Sequence, residues 1–79
     1  MRIYDHEAKR VLKSVTLFLT PEEADELGQS ASDLAKNPVS HHHHVSDSEF
    51  KREIVVAVYT CDNAGEFDAE SQKVIGTDC

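Results

Sequence analysis

The chain has 79 residues, and 8 Lys and Arg face 15 Asp and Glu for a formal net charge of −7. Such a surface excludes a nucleic-acid backbone as partner, since phosphate affinity comes from Lys and Arg releasing counterions and the densest basic runs here are the pairs Lys9-Arg10 and Lys51-Arg52. The length fits a single domain, 1–79, that buries roughly 60–70% of its unfolded surface, so a small core is expected and dimerisation is a natural addition to it.

Two short apolar stretches frame the first helix signal. Ile3 and Tyr4 can start a short strand, with "DHEAKR" as a turn. "VLKSVTLFLT" (11–20) then alternates, with Val11, Val15, Leu17 and Leu19 on one side and Leu12, Ser14, Thr16 and Phe18 on the other. A period of two predicts a strand. "TPEEADELGQSASDLAKNP" (20–38) predicts a helix. Thr20 stands at the N-cap, Pro21 at the first helical position, and Glu23 completes a capping box. Ala24, Leu27, Ala31, Leu34 and Ala35 make one narrow apolar stripe, and Asn37-Pro38 ends the run.

The second half holds the unusual tract. "HHHHV" (41–45), the turn "DSEFK" and "EIVVAVYT" (53–60) predict a hairpin. If Val45 faces the core, His43 and His41 share its side, while His42 and His44 point to the other face. In the paired strand Ile54, Val56 and Val58 face one way and Val55, Ala57 and Tyr59 the other. "CDNAG" interrupts, and "EFDAESQKVIG" (66–76) predicts a short helix on the stripe Phe67, Ser71, Val74 and Ile75, stopped by Gly76. These elements predict an α+β fold: a two-layer sandwich with a three- or four-stranded, mainly antiparallel sheet, two helices on one face and the order β-α-β-β-α. Two helices cannot cover both faces of one sheet. The second face then exposes Phe18, Val55, Ala57 and Tyr59 beside His42 and His44, and an apolar patch of that kind marks an interface, most simply with a second copy in a two-fold homodimer. Given the acidic balance, a basic protein is the other partner to expect.

The histidines admit a second chemistry. An i, i+2 pair such as His42 and His44 can chelate zinc, which binds imidazole at about 2.0–2.1 Å and takes four ligands. Asp47, Glu49, His6 or the same pair from a second copy would have to complete the set. A histidine cluster is also a group that charges near pH 6.5. Cys61 and Cys79 have no CxxC spacing and read as free thiols of a reducing compartment. Asp47, Glu49, Asp62 and Glu66 read as solvated acidic loop residues. No apolar run approaches the roughly 18–20 residues that span a bilayer, and "MRIYDHEAK" lacks a signal-peptide core, so a soluble cytoplasmic protein without a membrane partner is expected. No GxSxG, HExxH, Walker or GxGxxG pattern occurs, and three glycines, Gly28, Gly65 and Gly76, cannot build a phosphate cradle. Cys61 beside a histidine is the one nucleophile to consider, and nothing in the spacing unites them. No enzyme is expected.

Taken together, "LTPEEADEL", "HHHHV", "EIVVAVYT" and "FDAESQKVI" resemble a family of small, largely uncharacterised bacterial α+β proteins, over most of residues 11–76. The same pattern is loosely similar to small immunity proteins of bacterial toxin systems, with His42 and His44 as an H-x-H strand pair. That resemblance implies binding and neutralising a toxin, with no enzyme activity.

Overall fold

Two β-hairpins and two helices make up the computed structural model, which describes residues 1–38 and 42–76. In chain order they are β1 (Ile3–Asp5), β2 (Arg10–Leu12), α1 (Pro21–Lys36), β3 (His42–Ser46), β4 (Glu53–Ala57), a 3-10 turn (Ala64–Glu66) and α2 (Ala69–Ile75). The fold is α+β. His41 and Cys79 lie outside the described residues.

The strands form two separate antiparallel pairs, β1 with β2 and β3 with β4, where a single three- or four-stranded sheet was expected. The reason lies in residues 13–20. The strand expected over 11–20 holds a ladder only through Leu12, opposite Ile3. Beyond Leu12 the chain has no regular element until α1. A strand is stable only when a neighbour takes up its backbone groups, and no described strand pairs with this segment. The two helices are divided in the same way. α1 packs against β3 and β4, while α2 is tied to β1 through polar contacts. Tyr4 OH donates to Glu70 Oε1 at 2.6 Å, and Arg2 Nε donates to the Val74 carbonyl at 3.1 Å.

Local chemistry explains each element that formed. Asp5 Oδ1 accepts from the backbone N–H of Glu7 and Ala8, an Asx-type turn that reverses the chain between β1 and β2. At the head of α1, Glu23 N donates to Thr20 Oγ1 and Thr20 N donates to Glu23 Oε1, so the capping box closes in both directions. Only part of the expected stripe on α1 is covered. Leu34 is buried, Leu27 and Ala31 are half-buried, and Ala24 and Ala35 are exposed, while Glu23 and Ser30 are half-buried in their place. The two-strand sheet beneath is too narrow to shield a full-length stripe. α2 starts at Ala69 and not at Glu66, because Asp68 takes the N-cap and accepts from Ser71 N at 2.7 Å. Its stripe holds: Ile75 is buried and Phe67, Ser71 and Val74 are half-buried. Gly76 stops it at φ 74°, in the left-handed region where a side chain is costly.

Among the described residues the buried apolar side chains are Leu34, Val45 and Ile75. Burying one such side chain is worth roughly 1.5–3 kcal/mol, so three of them make a thin core for a chain of this length. One polar residue joins them. Asn63, 4% exposed, accepts through Oδ1 from Thr60 N at 2.6 Å and donates through Nδ2 to the Val58 carbonyl at 3.0 Å. Its own N–H donates to Thr60 Oγ1. These bonds fix the corner by which the chain leaves β4 for α2.

Candidate functional site

The β3–β4 register settles which side chains share a face. His42 lies opposite Ala57, His44 opposite Val55, Val45 opposite Ile54 and His43 opposite Val56. Directly opposed residues point to the same side of an antiparallel pair. Val45, Ile54, Val56 and His43 therefore turn inward, and all four are buried or half-buried. His42, His44, Val55 and Ala57 form the outer face, and all four are exposed. The alternation read from the sequence thus brings four of the six expected interface residues together. Tyr59 lies past the end of β4 and is half-buried.

On this outer face the His42 and His44 rings meet edge to face, with centroids 4.9 Å apart and planes at 61°. His44 Nδ1 is 3.0 Å from Glu53 Oε2. A carboxylate accepts, so this contact is made by the tautomer that carries its proton on Nδ1 or by the imidazolium. The pair is solvent-facing, with side-chain exposures of 48% and 56%, and adds at most a few tenths of a kcal/mol to stability.

The groups expected to complete a metal set are used elsewhere. Asp47 Oδ1 accepts from Lys51 N at 2.9 Å, and Oδ2 pairs with Arg52 Nη1 at 3.3 Å. The Lys51 N–H, then those bonds from Arg52, hold the Asp47 carboxyl below its usual range. Asp47 is therefore the organiser of the hairpin turn, and it also holds Phe50, whose N–H donates to the Asp47 carbonyl. Glu49 pairs with Lys51 at 3.3 Å. His6 stacks edge to face on Tyr4, 5.1 Å between centroids. Among the described residues no group of three or more His, Cys, Asp or Glu could hold a metal ion.

Phe18 occupies a different place. It is 93% exposed and lies at the rim of an open cleft of about 570 Å³, between Leu17 and Leu19 on one side and Val45, Arg52 and Ile54 on the other. Val55, Ala57 and Tyr59 do not line that cleft. Of the six expected interface residues, four thus form a histidine face, Phe18 stands at a separate cleft, and Tyr59 belongs to neither. Sequence reasoning missed the cleft because it assigned Phe18 to a strand within one continuous sheet.

Cys61 is disulfide-bonded, so the free thiol expected there is absent, and a disulfide sulfur cannot act as a nucleophile beside a histidine. A pair of cysteines is the smallest set that can make one bridge, and their spacing alone does not signal it. No described helix is long and apolar enough to cross a membrane. Comparison with family models, curated proteins and solved structures finds no match for this chain.

Proposed function

We propose that the chain is a non-catalytic protein-binding module that acts by covering a partner, in the manner of the small immunity proteins that neutralise bacterial toxins. The observation that carries this reading is Phe18, 93% exposed beside an apolar cleft. Exposing a phenylalanine to water forgoes roughly 1.5–3 kcal/mol of burial, and a contiguous apolar patch marks a contact surface. The partner is a second copy of the chain or a protein with a basic surface, which the net charge of −7 attracts. The test is retention on immobilised protein from a lysate of the source cells, comparing wild type with Phe18→Ser and Val55→Glu. A protein held by wild type and released by either variant, which also restores growth balance when co-expressed with this chain, supports the reading. An identical retained set for all three removes it.

A second reading rests on the His42–His44 pair. The two rings supply half of a zinc set, and Glu53 on His44 Nδ1 is the kind of outer carboxylate that orients a ligating imidazole. Native mass spectrometry of protein purified without nickel decides it: one zinc per chain or per dimer, lost in His42→Ala, puts the metal reading first. We propose the cytoplasm as the place of action, a reading against which the disulfide at Cys61 counts, since such bonds persist in oxidising compartments. Protein trapped from cells with iodoacetamide carries modified cysteines in a reducing compartment and unmodified ones in an oxidising compartment.

A further inference from the structure

The exposed apolar surface of this chain is concentrated in one segment. Val11 (54% exposed), Val15 (53%), Leu17 (46%) and Phe18 (93%) are four of the seven large exposed hydrophobics among the described residues. All four lie within residues 11–18, and the most exposed of them stands at the rim of the cleft that Val45 and Ile54 floor. A cleft of about 570 Å³ has room for a benzyl group. A protruding ring and a cleft lined by Leu17, Leu19, Val45 and Ile54, with the charged Glu23, Asp47, Arg52 and Glu53 also around it, therefore belong to the same patch. A patch that carries both halves of a contact is self-complementary, because a two-fold axis beside it lets residue i meet residue j while j meets i.

Surface area points to the same occupant. The chain exposes 6252 Å², whereas a compact monomer of 8.8 kDa exposes about 4,800 Å². The excess of roughly 1,400 Å² is more than the about 800 Å² that each partner buries in a standard interface. One two-fold contact of standard size over this patch removes somewhat more than half of that excess and adds apolar cover where the core is thin.

We infer that the cleft is filled by a second copy of this chain, in a two-fold dimer in which Phe18 of each copy enters the other's cleft against Val45 and Ile54. The inference rests on the protein-binding reading and names its partner. Because each copy carries a net charge of −7, the two repel over distance, and added salt tightens the dimer by screening that repulsion. A basic partner gives the opposite salt dependence.

The chain has no tryptophan, so Phe18→Trp reports on the patch directly. Its emission is followed from about 1 μM to about 1 mM, the range of Kd in which a marginal dimer forms. Wild type and Phe18→Ser are followed by sedimentation velocity over the same range, with far-UV circular dichroism to confirm that both are folded. The expected result is a blue shift that grows with concentration and with sodium chloride, a wild-type dimer at the upper end and a Phe18→Ser monomer of unchanged dichroism. A wild-type monomer at every concentration with a fully solvated indole overturns the inference. So does a Phe18→Ser protein that dimerises like wild type, which places the contact on another face. Poly-L-lysine separates the two levels: if it shifts the indole emission of a monomeric protein, the second copy is wrong and the protein-binding reading stands.

Discussion

Residues 11–20 and 53–60 are both rich in apolar and β-branched side chains and both were expected as strands, yet only one is a strand along most of its length. Glu53–Ala57 runs opposite His42–Ser46 for five residues, while the earlier stretch pairs only at Val11 and Leu12, in a ladder that begins at Arg10, and then runs without regular structure to Thr20, exposed except at Leu19. The difference is in what the chain brings alongside. Asp47 folds the turn that returns β4 onto β3, and its two carboxylate oxygens hold the turn from inside. After Leu12 the chain has already used its local partner, β1, and the next element is a helix. A pleated, half-apolar stretch becomes a strand when a neighbour is delivered to it; without one it remains apolar surface.

This contrast can be pressed by making the same change in each region. Leu34→Ala empties a site that is 3% exposed and is expected to cost about 2–5 kcal/mol. Leu17→Ala, in the uncovered stretch, is expected to change monomer stability by about 0.5 kcal/mol or less. Urea denaturation at a concentration where the chain is monomeric reads both, and equal losses would mean that residues 13–19 are packed within the monomer. Asn63→Ala sharpens the comparison at the far end of β4. It leaves the Val58 carbonyl and the Thr60 N–H without this side chain and is expected to cost about 1–3 kcal/mol, with the amide signals of Val58 to Ala64 moving most in an NMR correlation spectrum. Thr20→Ala opens the capping box that joins the uncovered stretch to α1, for an expected loss of about 1 kcal/mol, seen as a lower thermal midpoint of the helical dichroism.

The smallest effects are those of pH, and they differ between the two hairpins. Asp47 has its folded pKa lowered, first by the Lys51 N–H. Its contribution is complete above the unfolded value, about 3.9, and is lost as pH falls through the lower folded value. The β3–β4 turn therefore weakens only in acid. The link from β1 to α2 weakens at both ends of the scale. Glu70 is lowered, first by the Tyr4 hydroxyl, so its part is lost in acid. Tyr4 is raised, first by its bond to Glu70, so its part is complete below the unfolded value, about 10, and is lost as pH rises through the higher folded value. NMR titration checks this: the amides of Lys51 and Arg52 should move only in acid, and those around Tyr4 and Glu70 at both extremes.

What was legible in the sequence was chemistry acting over three to five residues. Thr20 with Glu23, the turn at Asp47, the outward pair of His42 and His44, and the Phe67 to Ile75 stripe all follow from local spacing. What was not legible depended on which distant elements meet. Alternation over 11–20 cannot say whether a partner strand arrives, so one sheet was expected where two pairs formed, and Phe18 was placed among Val55, Ala57 and Tyr59 when it borders Val45 and Ile54. Asn63 sat in a stretch read only as a break. A single asparagine gives no sign of burial until the backbone it bonds is folded around it. The disulfide at Cys61 was hidden for a similar reason, since pairing depends on approach in space.

Each described ladder joins strands that are neighbours in sequence, closed by turns centred on Asp5 and Asp47. Local pairing of this kind keeps the loop-closure entropy of each hairpin small. Hairpins of this kind close in about 1–10 μs, and the capping box lets α1 begin independently. The slower step within the chain is then the docking of α2 onto the N-terminal hairpin, because Tyr4–Glu70 and Arg2–Val74 join residues 66 and 72 positions apart.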